Sequence, residues 1–270
     1  YYTKAAHCQD GDPWPFQPDH RYDKLFSGIQ VPSPATATEA HFSRLPKFLQ
    51  TSEARHRWKI RFANPAMYQK SVKDYYRLVV GVDDVIGRVV AKLKQKQLFE
   101  NTVIIFTSDN GFYLGEHGLA GKWFMHEESI RLPLVICDPR LPEGRKGRRV
   151  SESALNIDIA PTILDLAGLE IPGTIQGRSL KPLLDGRRVE WRSEFFYEHP
   201  FQHPRIPKTE GVRGSRWKYV RYTSLDPVVE ELYDLKEDSR EERNLAGDPR
   251  FVDRLRDQRN KWREWRERVK

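Results

Sequence analysis

Between residues 73 and 97 apolar side chains recur at Tyr76, Val79, Val80, Val82, Ile86, Val89, Val90 and Leu93. That is the three-and-four spacing of one buried helix face, and it predicts a helix over 73–97. Gly87 interrupts the face, for which a close helix contact is the ordinary reason. The run Thr102-Val-Ile-Ile-Phe-Thr107 predicts a buried strand, and 132–137 a second, with a short helix at 126–130 between them. Residues 158–166 predict another helix, with Pro161 in its first turn and Gly168 as its stop. Ahead of the long helix, prolines at 13, 15, 18, 32, 34, 46 and 65 predict long surface loops. This order of strands and helices implies an α/β architecture with a mostly parallel sheet flanked by helices. Past Arg187 the pattern changes to short strands at 195–197, 212–213, 217–222 and 232–235, closed by a charged helix at 250–269. The expected division is a main domain over 1–186 and a small antiparallel α+β subdomain over 187–270.

The composition of the 270 residues, 38% hydrophobic and 11% aromatic, fits a globular protein rather than a disordered one. A net charge of +8 favours polyanions such as nucleic acid, sulfated polysaccharide or anionic lipid. Much of that excess sits in 254–270, where a solvated basic helix face accounts for it. Trp262 and Trp265 would anchor that helix to the body. Neither Cys8 nor Cys137 stands in a metal-binding spacing, and Cys137, ending an apolar run, reads as a small core residue. No apolar stretch approaches the ~20 residues of a membrane span. The chain opens at Tyr1 without a methionine or a visible secretory signal, and reads as the C-terminal portion of a longer protein.

The densest chemistry is Thr107-Ser-Asp-Asn-Gly-Phe-Tyr-Leu-Gly-Glu-His-Gly-Leu-Ala-Gly-Lys122, directly after the first strand. Ligands in parallel α/β sheets gather beyond the carboxyl ends of strands, where this reading puts Asp109 and Asn110. A carboxylate beside an amide oxygen suits a hard cation, Ca²⁺ or Mg²⁺, although two donors fall short of the ~6 to 8 oxygens of a Ca²⁺ shell. An isolated Asp-Asn-Gly is also an ordinary β-turn. Lys122 adds an ammonium able to hold a tetrahedral oxyanion, and His117 an imidazole able to donate a proton to a leaving alkoxide. A third element, Lys4-Ala-Ala-His7 followed by Pro13-Trp-Pro-Phe16, reads as the rim of a site.

Together these pieces resemble the sulfatase family of the alkaline-phosphatase-like superfamily. Lys4-Ala-Ala-His7 is similar to its K-x-P-H-x-P segment, with Ala6 in place of Pro. Val82-Asp-Asp-Val-Ile-Gly87 resembles its D-x-x-V-G helix, and Asp109-Asn-Gly, Gly115-Glu-His-Gly118 and Gly121-Lys122 its downstream block. Asp158-Ile-Ala-Pro-Thr162, Gln176-Gly-Arg-Ser-Leu180, Trp217-Lys-Tyr-Val-Arg221 and Glu231-Leu-Tyr-Asp-Leu235 continue the pattern in order. The resemblance implies that Asp109 and Asn110 are two Ca²⁺ ligands, with Mg²⁺ the less favoured ion. Lys122 would contact the sulfate, and His7 the ester's bridging oxygen. Lys4 would be a further sulfate or rim contact, His117 would lie in the substrate pocket, and Asp83 would be structural. The family's nucleophile, a formylglycine made from Cys or Ser in C/S-x-P/A-x-R, matches neither cysteine here and is expected upstream of Tyr1, with the aspartate pair that completes the metal shell. The expected function is therefore a sulfatase fragment, inactive alone, acting in the full-length protein on a sulfated carbohydrate. The expected location, periplasmic or extracellular, follows from the same resemblance, and nucleic acid is not an expected partner. Two readings compete with it: a phosphonate or phosphodiester hydrolase of the same superfamily, and a catalytically dead module that binds polyanions.

Overall fold

The computed structural model describes residues 14–201 and 203–269. In chain order its helices are α1 (Glu39–Phe42), α2 (Lys47–Gln50), α3 (Glu53–Arg61), α4 (Pro65–Gln95), α5 (Glu127–Ile130), α6 (Ile159–Leu166), α7 (Lys181–Leu184) and α8 (Val252–Arg268). Its strands are β1 (Ile104–Thr107), β2 (Tyr113–Leu114), β3 (Ala120–Gly121), β4 (Leu134–Cys137), β5 (Glu194–His199), β6 (Thr209–Gly214), β7 (Trp217–Tyr222) and β8 (Val229–Asp234). The chain forms two compact units that do not coincide with a division after residue 186. The larger takes the described residues through Lys92, then Asn110–Leu132 and Phe196–Lys270; the smaller takes Leu93–Asp109 and Pro133–Phe195.

In the larger unit Pro15, Pro18, Pro32 and Pro34 lie in loops as expected, but two later prolines start helices. Pro46 is the N-cap of α2, and Pro65 opens α4, eight residues ahead of the predicted start. Asn64 caps α4 by accepting the Met67 N–H at 3.0 Å, and proline suits the next position because no N–H is needed there. Thr38 and Ser52 cap α1 and α3 in the same way, each at 3.2 Å. The early part of α4 buries Tyr68 and Val72 against Val31, Phe62 and Ala120. Further on, Val79, Val82, Val85 and Val89 stay 47–51% exposed, so the predicted face is buried over its first turns only. A Cβ at Gly87 would meet nothing within 4 Å, so no close contact requires that glycine; it is Gly81 that approaches a neighbour, the ring of Tyr22.

β5 to β8 form a four-stranded sheet in sequence order, the antiparallel arrangement expected of the C-terminal part. Tyr219 pairs with Val212 on one side and Leu232 on the other. Those three side chains pack with Leu245, Leu255 and Trp262, so α8 lies on the sheet and Trp262 anchors it as expected. The Trp262 indole N–H donates to Glu210 at 2.8 Å. A second core joins α1 to α3 with the β2–β3 hairpin and the sheet through Phe42, Leu49, Tyr113, Leu119, Phe124 and Tyr222.

In the smaller unit β1 pairs with β4, Ile105 opposite Ile136, and the pairing is antiparallel where strand order predicted parallel neighbours. A parallel pair needs a crossover, usually a packed helix, and the only α-helix between these strands is the single-turn α5. The mixed α/β class holds. Alternation along β4 turns Val135 and Cys137 outward, so Cys137 is exposed and not a core residue. α6 stops at Gly168 as predicted, with φ +72°. Ahead of α6, the fully buried Asp158 accepts from Leu155 N–H and Arg178 N–H, each at 2.8 Å, and pairs with Arg192. Asp158→Asn keeps the shape and removes the charge, and is expected to cost about 1.5–3 kcal/mol in urea unfolding of the full-length protein. A loss below about 0.5 kcal/mol would show that this pair does not hold the segment.

Candidate functional site

The block after β1 is built around one glycine and one lysine. The Gly111 N–H donates to Ser129 O at 2.8 Å, and a Cβ on Gly111 would overlap the Glu128 carbonyl, so only glycine lets this turn lie against α5. Next to it, the Asn110 amide donates through Nδ2 to Gly111 O at 2.7 Å and accepts at Oδ1 from Lys122 Nζ at 2.7 Å. These contacts set the orientation of the amide. The amide oxygen that accepts from Lys122 is of the donor type a hard cation takes. Asp109 is exposed. The donor chemistry suits a hard divalent ion. Among the described residues, no cluster of three or more His, Cys, Asp or Glu side chains forms a complete metal site.

Below this surface the chain buries a set of titratable groups. His117, with φ +55°, donates its backbone N–H to Thr36 at 2.9 Å, and its ring is 0% exposed. Nδ1 of that ring lies 2.9 Å from His41 Nε2, Nε2 lies 3.4 Å from Glu128, and the His126 ring stacks on it at 4.3 Å. His126 Nδ1 in turn meets the Tyr113 hydroxyl at 2.7 Å. Burial, with His117 adding to it, pushes His41 down to about 4, and burial holds His126 well below the ordinary histidine value. Burial opposes ionisation of Glu128, but the His117 ring beside it carries the carboxyl below its usual value. Deeper still, the fully buried Lys218 donates to Met125 O at 2.9 Å and pairs with Glu127 at 2.6 Å and Glu241 at 2.8 Å. Burial pushes Glu241 up to about 7 against the pull of Lys218.

These groups make stability depend on pH with opposite signs. Folded His41 stays neutral down to about 4, while the unfolded chain takes that proton below 6.5. The unfolded state then binds more protons, so stability falls as pH drops through 6.5 to 4. His126 acts in the same sense. Glu241 acts in reverse: its contribution is lost as pH rises from 4.5 through 7. His41→Gln is expected to flatten the acid side of the stability–pH curve by up to about 3 kcal/mol. Urea unfolding at pH 7 and pH 4.5 measures this, and identical slopes for variant and wild type would refute it.

Two family models match. The model described as Sulfatase covers residues 9–169, and the one described as N-sulphoglucosamine sulphohydrolase, C-terminal, covers 115–268. The chain belongs to the sulfatase family. It is 39% identical over 192 residues to the N-acetylglucosamine-6-O-sulfatase of Bacteroides thetaiotaomicron, a match covering 68% of this chain and 34% of that protein. The chain thus spans about a third of the length of that curated relative. Among solved structures, a protein in complex with its substrate D-glucosamine-2-N,6-O-disulfate aligns over 93% of this chain and 62% of its own, at 27% identity and a TM-score of 0.77. The phosphonate monoester hydrolase of Silicibacter pomeroyi aligns over 95% of this chain and 54% of its own, at 27% identity and a TM-score of 0.75.

Of the residues singled out in this sulfatase chain, the structure brings Asn110 and Lys122 together. Asp109 is the covalent neighbour of Asn110. Lys4 and His7 lie outside the described residues. Asp83 is exposed on α4 rather than packed, and it is Asp84 that accepts the Tyr22 hydroxyl at 2.5 Å. Among the described residues His117 is interior, enclosed by His41, His126 and Glu128. Burial of the whole hairpin turns it inward, which loop composition does not reveal. Sequence reasoning missed His41, His126 and Glu241, for which no local signal exists. Lys218 had one, since alternation along β7 puts it on the same face as the buried Val220 and Tyr222.

Proposed function

We propose that this chain is the downstream part of a metal-dependent sulfuric ester hydrolase acting on a sulfated carbohydrate. The observation that supports the proposal is the 2.7 Å contact between Lys122 Nζ and Asn110 Oδ1, two residues of the block expected to hold the cation and the sulfate. In this reading Asp109 and Asn110 supply two oxygens to Ca²⁺, and further donors and a formylglycine come from sequence upstream of Tyr1. When bound, the ion withdraws charge from the oxygen it holds. Lys122 holds the sulfate and neutralises charge that builds on its oxygens. His7 protonates the leaving alkoxide, and Lys4 adds a contact at the rim. His117 serves as an internal support that fixes the hairpin ending in Lys122. The half-exposed valines of α4 support the view that the chain works within a longer polypeptide. The proposed location is periplasmic or extracellular, where sulfated glycans are met. Relatives named for sulfated glucosamine support the substrate class.

The test is sulfate release by the full-length protein, with and without Ca²⁺, from a panel including glucosamine 6-O-sulfate, beside a phosphonate monoester. Calcium-dependent sulfate release supports the proposal. Efficient cleavage of the phosphonate with no sulfate released would replace it with the phosphonate hydrolase reading, which rests on the likeness to the phosphonate monoester hydrolase.

A further inference from the structure

The tetrapeptide Gly147-Arg-Arg-Val150 recurs as Gly186-Arg-Arg-Val189, both in the smaller unit. Both glycines adopt positive φ, +65° and +67°, so each copy leaves its turn in the same way. The copies are drawn together by Arg145, whose guanidinium lies so close to Gly186 that a Cβ there would overlap it. Four residues span at most about 14 Å, so Arg148 and Arg149 remain near Arg145, as Arg187 and Arg188 do near Gly186. Arg148, Arg149, Arg187 and Arg188 are exposed, and Val150 and Val189 beside them are 49% and 41% exposed. Around them stand Glu143, which pairs with Lys146 at 3.0 Å, and Asp185, which pairs with Lys181 and Arg187 at 2.8 Å each. Across 143–149 and 185–190, six cations stand against three carboxylates, Glu190 being the third. Among the described residues, Arg148, Arg149 and Arg188 have no ion-pair partner.

Unpaired arginines concentrated this way repel one another, and an anion with several charges relieves the repulsion at all of them. The guanidinium fork matches the paired oxygens of a sulfate. By contrast the cations of α8 are largely engaged: Arg254 with Asp257, Arg256 with Asp253, Arg259 with Glu230 and Arg266 with Glu210. We propose that the paired Gly-Arg-Arg-Val turns, with Arg145 and Lys146, form a docking surface for a sulfated polysaccharide, built from residues other than Asp109, Asn110 and Lys122. The choice of glycan rests on the proposed sulfatase function. It also fits the residues: each copy places an aliphatic valine beside its arginines, and the nearby Trp191 is half-buried with its ring under the Arg192 guanidinium, so the turns offer charge more than stacking surface for bases.

The experiment uses the full-length protein and heparin as the probe. The variant R148A/R149A/R187A/R188A, and the smaller R148A/R149A should the first fail to fold, are compared with an α8 control, R254A/R256A/R263A. The turn variants are expected to bind heparin about tenfold or more weakly at physiological salt, with a shallower salt dependence, while the α8 control binds as wild type. Hydrolysis of a monosaccharide sulfate is expected to be unchanged in all. Wild-type heparin affinity in the turn variants, or loss confined to the α8 variant, overturns the proposal. A single-stranded polynucleotide that displaces the protein as well as heparin does overturns the choice of glycan. A full-length protein that binds heparin through these turns but releases no sulfate from any ester would sink the hydrolase reading alone.

Discussion

Lys122→Met in the full-length protein is expected to lower kcat/KM for a sulfate ester by about 10²–10³-fold, about 3–4 kcal/mol of transition-state stabilisation. The expectation follows from geometry. Lys122 Nζ is held by Asn110 Oδ1 at 2.7 Å, so its charge is positioned before substrate arrives and needs no reorganisation during reaction. Methionine retains most of the stem and removes the charge. The side chain is only half-buried, so unfolding midpoints should stay close to wild type. Steady-state kinetics beside a melting curve separate the two effects. An unchanged kcat/KM would remove Lys122 from the site, and a parallel collapse in stability would make its role structural.

Lys218→Met is expected to do the reverse, costing about 3–5 kcal/mol of stability because it strips the counter-charge from a buried cluster. Lys218 is fully buried, and its ammonium sits between Glu127, Glu241 and the Met125 carbonyl. Arg213 at 3.2 Å still balances Glu127 in the variant, whereas Lys218 is the cation that faces Glu241. Its carboxyl, already raised to about 7 by burial, would be driven further toward the neutral form. In a chain whose whole stability is about 5–15 kcal/mol, the loss should be plain in urea unfolding. The double variant K218M/E241Q removes the stranded charge and is expected to recover part of the loss. A cost below about 1 kcal/mol for the single change, or no recovery in the double, would show that the cluster is not held by charge.

Both lysines were visible in the sequence, yet only one could be weighed there. Lys122 stands in a block of glycines, an acid and an amide, where composition already announces a site. Lys218 is one of 46 basic residues, and only the alternation of β7 hinted that it points inward. The same limit explains His117. A histidine between glycines looks like a loop side chain open to solvent, but the hairpin around it is covered by Phe42 and Leu119 and shares its core with the C-terminal sheet. The prolines at 46 and 65 misled for a related reason: proline breaks a helix interior but suits its first turn, and the Asn64 cap decides which applies.

Local periodicity determined the elements. The apolar spacing of α4, the six residues of β7, the α8 helix with its tryptophan anchor and the Gly168 stop all follow from short-range pattern, because helix and strand periods depend on neighbours within a turn or two. The ordered motifs determined the family as well. Tertiary structure alone decided that β1 and β4 run antiparallel, that Cys137 faces outward, that His41, His117 and His126 meet, that Glu241 pairs with Lys218, and that Arg145 lies against Gly186. Each of these joins residues tens of positions apart, or turns on which face of an element is covered. Burial and partner charge are properties of that folded neighbourhood, and no window of sequence contains them.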